Sequence, residues 1–272
     1  MPGRGAQSGR GPSPGGWRTH SGGSAAGASA WARYRTLSAR HRQERMMMRL
    51  ALAVSNAVIV GGLGNWWAGM AAALATSAVH VVYLRNRPGP VTSWRHGAMA
   101  ERRTGRVLAA LDPGKFRVLH DRALPGLPAT NLDHLVVGLT GVYAISSRRW
   151  TLGIRLWSDH RRLWAGSRPV VNLQVAVVRA AHTVGELLAD ELGHELSVSP
   201  VVAVHGARVP RGGLRFGGVV FQRARRLPRL LDAHPVVLTS AQVTMITAAA
   251  ERAFPPMLDH REQGLSPRRT IA

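Results

Sequence analysis

The sequence predicts an α/β domain, one sheet with helices on its faces, preceded by a two-helix transmembrane hairpin and a disordered N-terminus. Three observations carry this expectation. Residues 50–84 contain no Lys, Arg, Asp or Glu. Residues 1–30 are mostly Gly, Ser, Pro, Ala and Arg. From residue 94 onward, apolar positions follow strand and helix periods in the order helix, several strands, helix, strand, strand, helix.

The N-terminal segment, 1–45, is expected to be basic and disordered, because such a composition cannot bury enough apolar surface to offset chain entropy. Within it, Gly11-Pro12-Ser13-Pro14-Gly15 fits a G-x-S-x-G string but lacks the strand–turn–helix setting that a nucleophile elbow needs. A single helix over residues 50–84 would be about 52 Å long, against a hydrocarbon core of about 30 Å. Two spans fit better, about 46–63 and 66–84, with the turn at Gly64-Asn65 and the interfacial pair Trp66-Trp67 between them. Arg42, Arg45 and Arg49 flank the first span; Arg85 and Arg87 follow the second. This distribution places both termini and the downstream domain in the cytoplasm of a cell-membrane protein. Residues 85–93, rich in Pro and Gly, read as a linker.

The soluble domain is expected over 94–256, with a tail at 257–272. A helix over 94–111 stops at Asp112-Pro113-Gly114. A strand follows at 116–120. Two apolar strands, 132–138 and 142–147, are joined at Leu139-Thr140-Gly141, a hairpin signal. Residues 152–157 and 161–164 read as a second hairpin. An amphipathic helix over 171–192 ends at Gly193, a residue suited to the left-handed C-cap. Buried-type strands follow at 198–204 and 218–221. The last helix starts at Thr239, where Gln242 completes a capping box, and stops before Pro255-Pro256.

Composition narrows the chemistry. The 272 residues include 36 Lys+Arg, 14 Asp+Glu and no Cys, for a net charge of +22. Without Cys there are no disulfides, thiolate metal sites or cysteine nucleophile. Lys115 is the single lysine. A balance this basic suits a polyanion or an anionic lipid surface, and an Arg-rich coding bias also contributes to it. No zinc signature, P-loop or dinucleotide fingerprint occurs, and no small-molecule cofactor is expected.

A set of strings around Asp133 resembles a known family. Gly97-Ala98-Met99-Ala100-Glu101 opens the first domain helix. Asn131-Leu132-Asp133-His134-Leu135-Val136-Val137-Gly138 is followed by Thr140-Gly141-Val142-Tyr143-Ala144-Ile145-Ser146-Ser147-Arg148-Arg149-Trp150. Asn172-Leu173-Gln174 opens the second helix. The pattern resembles the nuclease-related domain (NERD) family. The resemblance implies a restriction-endonuclease-like core of the D…(D/E)xK phosphodiesterases. In that class a metal, most often Mg²⁺, activates water and stabilises developing charge. It implies Glu101 and Asp133 as metal ligands and Gln174 as a nearby positioning group. The position of the second acid holds Ser146, and that of the lysine holds Arg148. Ser146 is a weaker ligand than a carboxylate, and Arg148 keeps its charge at working pH. Asp112 and Asp121 are candidates for a relocated acid.

Other roles compete for these residues. Asp133 suits a carboxylate that satisfies backbone donors at a strand start. Glu101 lies beside Arg102, Arg103 and Arg106, which suits a surface ion pair. Gln174 suits an ordinary helix-face hydrogen bond. His134 alternates with Asp133 and is expected on the opposite face as a packed histidine. Arg148, Arg149, Arg223, Arg225 and Arg226 are the candidate nucleic-acid contacts. The function expected is a membrane-anchored nuclease-related protein that binds nucleic acid or another phosphate polymer at a degenerate hydrolytic site. The alternatives are an active Mg²⁺-dependent nuclease, and a membrane scaffold whose arginines meet anionic lipid or a partner protein. Oligomeric state has no signal in the sequence.

Overall fold

The structure, a computed structural model, describes residues 25–40, 42–86, 90–125 and 131–260. Disorder expected through residue 45 falls partly outside these residues, but α1 (Ala28–Arg40) is a helix. Its order comes from tertiary contacts that composition does not reveal. The Arg102 guanidinium lies 4.5 Å from the Trp31 ring, and the Arg33 guanidinium lies 5.9 Å from that of Trp94. Gly27, at φ +69°, sits so close to the next domain helix that a Cβ there would come within 2.8 Å of the Ala98 carbonyl oxygen.

Helices α2 (Arg42–Leu63) and α3 (Trp66–Asn86) follow, with Gly64 and Asn65 between them. Asn65 Oδ1 accepts from the Ala68 amide at 2.9 Å and so caps α3. The two helices approach closely at Gly69, where a Cβ would stand 2.7 Å from the Ala57 carbonyl oxygen. Met46, Leu50, Val58, Ile59 and Leu74 are all more than half exposed. Among the described residues one helix, Arg42–Leu63, is long and apolar enough to cross a membrane. Asn56 Nδ2 donates to the Leu52 carbonyl at 3.0 Å, which satisfies it within its own helix.

Helix α4 (Pro90–Leu108) begins inside the stretch expected to be a linker; a proline is tolerated in a first turn because its missing N–H has no helical partner there. The central sheet is six-stranded, in the order β1-β2-β3-β7-β9-β8. β1 (Phe116–Ala123), β2 (Asn131–Gly138) and β3 (Gly141–Arg149) form an antiparallel meander. β7 (Val198–His205) and β9 (Val219–Arg223) run parallel to β3, and β8 (Leu214–Phe216) closes the edge antiparallel. Between β3 and β7 lie β4 (Leu156–Ser158), β5 (Leu163–Ala165), β6 (Arg168–Val170) and α5 (Leu173–Leu192). α6 (Leu227–Asp232) and α7 (Ser240–Ala253) complete the domain.

The architecture is therefore a mixed α/β domain with helices on both faces of a central sheet. One expectation changes: β4, β5 and β6 form a separate three-stranded sheet. On one face, Leu135, Val137, Val142 and Ala144 pack with Val184 and Leu188 of α5 and Ile246 and Ala250 of α7. On the other, Val136, Tyr143 and Ile145 pack with Leu108 of α4 and Leu227 and Leu231 of α6. Period-2 alternation along β2 and β3 divides the two sets, and it also decides where each polar residue points.

Candidate functional site

The polar end of the β2–β3 pair carries the residues singled out by the motif. His134 pairs with Ile145 across the ladder, which puts Asp133 opposite Ser146. Asp133 Oδ2 accepts from the Ser147 amide at 2.7 Å and from the Ser146 hydroxyl at 3.3 Å. Arg148 Nη1 lies 3.8 Å from the same oxygen. Asp133, Ser146 and Arg148 thus share one face, two residues apart along β3. Burial raises the Asp133 pKa above its ordinary range, and Arg148 and the two serine donors oppose that rise.

Glu101 reaches the same region from the second half of α4. It is 6 % exposed, and its Oε2 is buried without a hydrogen-bond partner. Burial, then the charges of Asp133 and Asp121, push its pKa up to about 9, with Arg148 opposing. Glu101 is therefore a neutral acid at neutral pH.

Asp121 joins this electrostatic neighbourhood. It is fully buried, at φ +50°, and takes the Ser29 amide at 2.6 Å and the Ser29 hydroxyl at 2.5 Å. Asn131 Nδ2 donates to it at 3.3 Å. Asp112 serves a turn instead, accepting from the Gly114 amide at 2.8 Å, and Lys115 is exposed on that turn.

The donor set does not suit a hard divalent cation. Mg²⁺ wants near-octahedral oxygen donors, with one or two free carboxylates. Here the second carboxylate is a hydroxyl that donates to Asp133, and a fixed guanidinium stands beside the first. Among the described residues no three His, Asp or Glu side chains converge on a point that could hold a metal ion. The orphaned Glu101 Oε2, with the charges of Asp133 and Asp121 acting on it, favours a cation. What the arrangement can do is present Arg148, 45 % exposed along its side chain, to an anion while Asp133 orients it.

Gln174 stands in the first turn of α5, behind Asn172 at φ +60°. Its Oε1 is buried without a partner, and its stem packs under Gly217, where a Cβ would meet Cγ at 3.1 Å. The structure thus ties Gln174 to the β8–β9 turn. Arg149 is exposed at the end of β3. Arg223, the last residue of β9, and Arg225 and Arg226 just after it line a cavity of about 380 Å³ with Pro228 and Arg229.

On the opposite face His134 is fully buried, as its alternation with Asp133 predicts. A polar chain runs through it. His120 Nδ1 and His134 Nδ1 are 2.8 Å apart, and His134 Nε2 is 3.2 Å from Ser147 Oγ. Ser147 Oγ donates to Thr104 Oγ1 at 2.8 Å, and Thr104 Oγ1 is 2.8 Å from His205 Nε2. Burial lowers the pKa of His120, of His134 far below the usual value, and of His205 to about 4. Sequence reasoning missed Thr104, Ser147 and His205, since nothing local marks residues that meet only in the fold.

This arrangement, an Asp–Ser–x–Arg strand pair facing a helix glutamate, invites comparison with known families. Residues 96–205 match the nuclease-related domain (NERD) family. The match supports a nuclease-related function, and nuclease-related domains are often metal-dependent. The nuclease-related segment takes in Glu101, Asp133, Ser146, Arg148, Gln174 and His205. It leaves out α1, α2, α3 and everything from Gly206 onward, including Arg223, Arg225 and Arg226. No curated protein and no solved structure matches the chain.

Proposed function

We propose that this chain is a membrane-anchored nuclease-related protein that binds nucleic acid, or another phosphate polymer, at a site that no longer hydrolyses it. The observation that carries the reading is the Arg148–Asp133 pair with Ser146 donating to the same carboxylate oxygen. It replaces two free carboxylates and a lysine by a neutralised acid, a hydroxyl and a permanent cation. Arg148 and Arg149 then meet backbone phosphate, with Arg223, Arg225 and Arg226 adding positive charge further along the same end of the sheet. Phosphate contacts of this kind position a strand without reading its sequence.

Anchoring rests on α2 and α3 together. Their facing surfaces pack on each other, their outer surfaces are apolar and exposed, and residues 50–84 carry no charge. The arginine flanks at both ends favour a hairpin with both termini and the domain on the cytoplasmic side. A reporter fused to the C-terminus is expected to read as cytoplasmic.

The test uses the full chain in detergent or nanodiscs, mixed with DNA and RNA, with and without Mg²⁺ or Mn²⁺. Binding that falls steeply with salt and weakens in Arg148→Ala, without cleavage, is expected. Metal-dependent cleavage that disappears in Asp133→Asn would overturn the degenerate-site reading and leave a working nuclease. Binding to anionic liposomes with none to nucleic acid would leave the scaffold reading.

A further inference from the structure

We infer that the arginine-walled cavity at the carboxyl edge of β7 and β9 binds a phosphomonoester-bearing ligand of nucleotide size, its phosphate gripped by Arg103, Arg208 and Arg223. The site is separate from the Asp133–Arg148 pair. It is built partly from residues beyond the nuclease-related match, and it does not depend on the reading given above for Arg148.

The cavity measures about 640 Å³, within the range of small-molecule sites. Four segments converge on it: α4 through Arg103 and Arg106, the turn after β3, the loop after β7, and the end of β9. β3, β7 and β9 are parallel, so their carboxyl ends open on one edge, where ligands of open α/β sheets bind.

Its charge is one-sided. Arg103, Arg106, Arg208, Arg223 and Arg225 line it, and no Asp or Glu does. Among the described residues none of the five is within ion-pair distance of a carboxylate. Arg223 Nε is buried with no acceptor among the described residues, and an anionic oxygen would supply one. Guanidinium forks from different elements suit the several oxygens of a terminal phosphate.

Apart from His205, the side chains of the remaining wall are apolar: Val107, Leu152, Val204, Ala207 and Ala224. A bare inorganic anion has no use for that surface, whereas a nucleoside covers it. The walls are also fixed before any ligand arrives. Trp150 N donates to His205 O at 2.9 Å, Gly153 N to Gly206 O at 3.1 Å, and Leu156 N to Arg208 O at 2.9 Å. Gly206, at φ +82°, lies so close to Trp150 that a Cβ would clash with its carbonyl oxygen. His205 is pinned by Thr104 Oγ1 at 2.8 Å. A site held this rigidly loses little entropy on binding.

The shared chemistry, a phosphomonoester on a nucleoside, has two sources: a free nucleotide or the phosphorylated end of a strand. The neighbouring cavity shares Arg223 and Arg225, and it gives a strand a positively charged exit.

The full chain in detergent would be titrated by calorimetry with adenosine, adenosine 5′-monophosphate, inorganic phosphate, and a ten-nucleotide DNA with and without a 5′-phosphate. Binding of adenosine 5′-monophosphate, at least 10-fold tighter than adenosine or phosphate, is expected for the free source. Binding of the phosphorylated strand alone supports the strand end as source. In either case Arg223→Ala and the more exposed Arg225→Ala should each weaken binding at least 5-fold. Arg215→Ala, an exposed arginine outside the lining, should change it less than 2-fold. Equal binding of adenosine and its monophosphate, equal weakening by Arg215→Ala, loss in Arg148→Ala but not in Arg223→Ala, or no binding of any phosphate probe would each overturn the proposal. Nucleotide binding that depends on Arg223, in a protein that binds no nucleic acid through Arg148, would sink the proposed function and leave this site standing.

Discussion

Arg148 Nη1 lies 3.8 Å from Asp133 Oδ2, the oxygen that also accepts from the Ser146 hydroxyl. Side chains two apart on a strand project from one face, so the identity of residues 146 and 148 decides what Asp133 faces. The double change Ser146→Glu with Arg148→Lys is expected to bind Mn²⁺, seen as heat in a calorimeter, more tightly than the parent protein titrated alongside. Absence of that heat in a folded double variant would mean that more than these two side chains separates this site from a metal centre.

Ser29 and Asp121 meet through both the amide and the hydroxyl of the serine. A hydrogen bond to a buried charged group contributes more than a neutral one, so Ser29→Ala should lower stability by about 1–3 kcal/mol. Amide exchange along α1 should accelerate in the same variant. Unchanged melting and exchange would show that the cation–π contacts of Arg102 and Arg33 suffice to hold the helix.

Glu101 titrates at about 9 in the fold, against an ordinary value of 4.5. Between these values the folded state holds more protons than the unfolded one, so stability is fullest below 4.5 and falls as pH rises toward 9. Glu101→Gln removes that slope. In metal-free protein the variant should be more stable than the parent at pH 8.5 and alike at pH 4. Parallel stability profiles across this window would refute the assignment of a neutral Glu101.

His205 behaves with the opposite sign. Its folded pKa is about 4 against 6.5, held down by burial and then by Arg103 and Arg149. The folded state therefore binds fewer protons, and stability present above 6.5 is lost as pH falls toward 4. His205→Gln keeps a hydrogen-bonding group for Thr104 and should flatten part of that acid limb. His120 and His134, lowered in the same way, keep the remainder of it. A chemical-denaturation series between pH 4 and 7 measures the difference.

Features fixed by local chemistry were legible in the sequence. Thr239 and Gln242 form the capping box that their spacing predicts, and Gly193 ends α5 at φ +75°. The β2–β3 hairpin turns at Leu139-Thr140-Gly141 because alternation and turn residues agree there. The shared face of Asp133, Ser146 and Arg148 followed from the same period. Features fixed by distant partners were not legible. α1 has few large apolar residues, Trp31, Tyr34 and Leu37, and makes contacts with Asp121 and Arg102, both far along the chain. α6 is six residues long, and β8 and β6 are three each, too short for a period to show. The cavity needed Arg103 from α4 and Arg208 beside Arg223, and of these three only Arg223 stood among the candidate contacts read from the sequence.

The grip of Ser29 on Asp121 changes what counts as the domain. A cut before α4, made to discard the apolar helices, would also discard Ser29 and Trp31 and strip two contacts from the body it was meant to liberate. The fold is stapled on both sides of α2 and α3, so those helices are an excursion of the chain out of a body already begun. A soluble version is better made by replacing residues 42–89 with a short flexible bridge, so that α1 stays covalently joined to the body it completes.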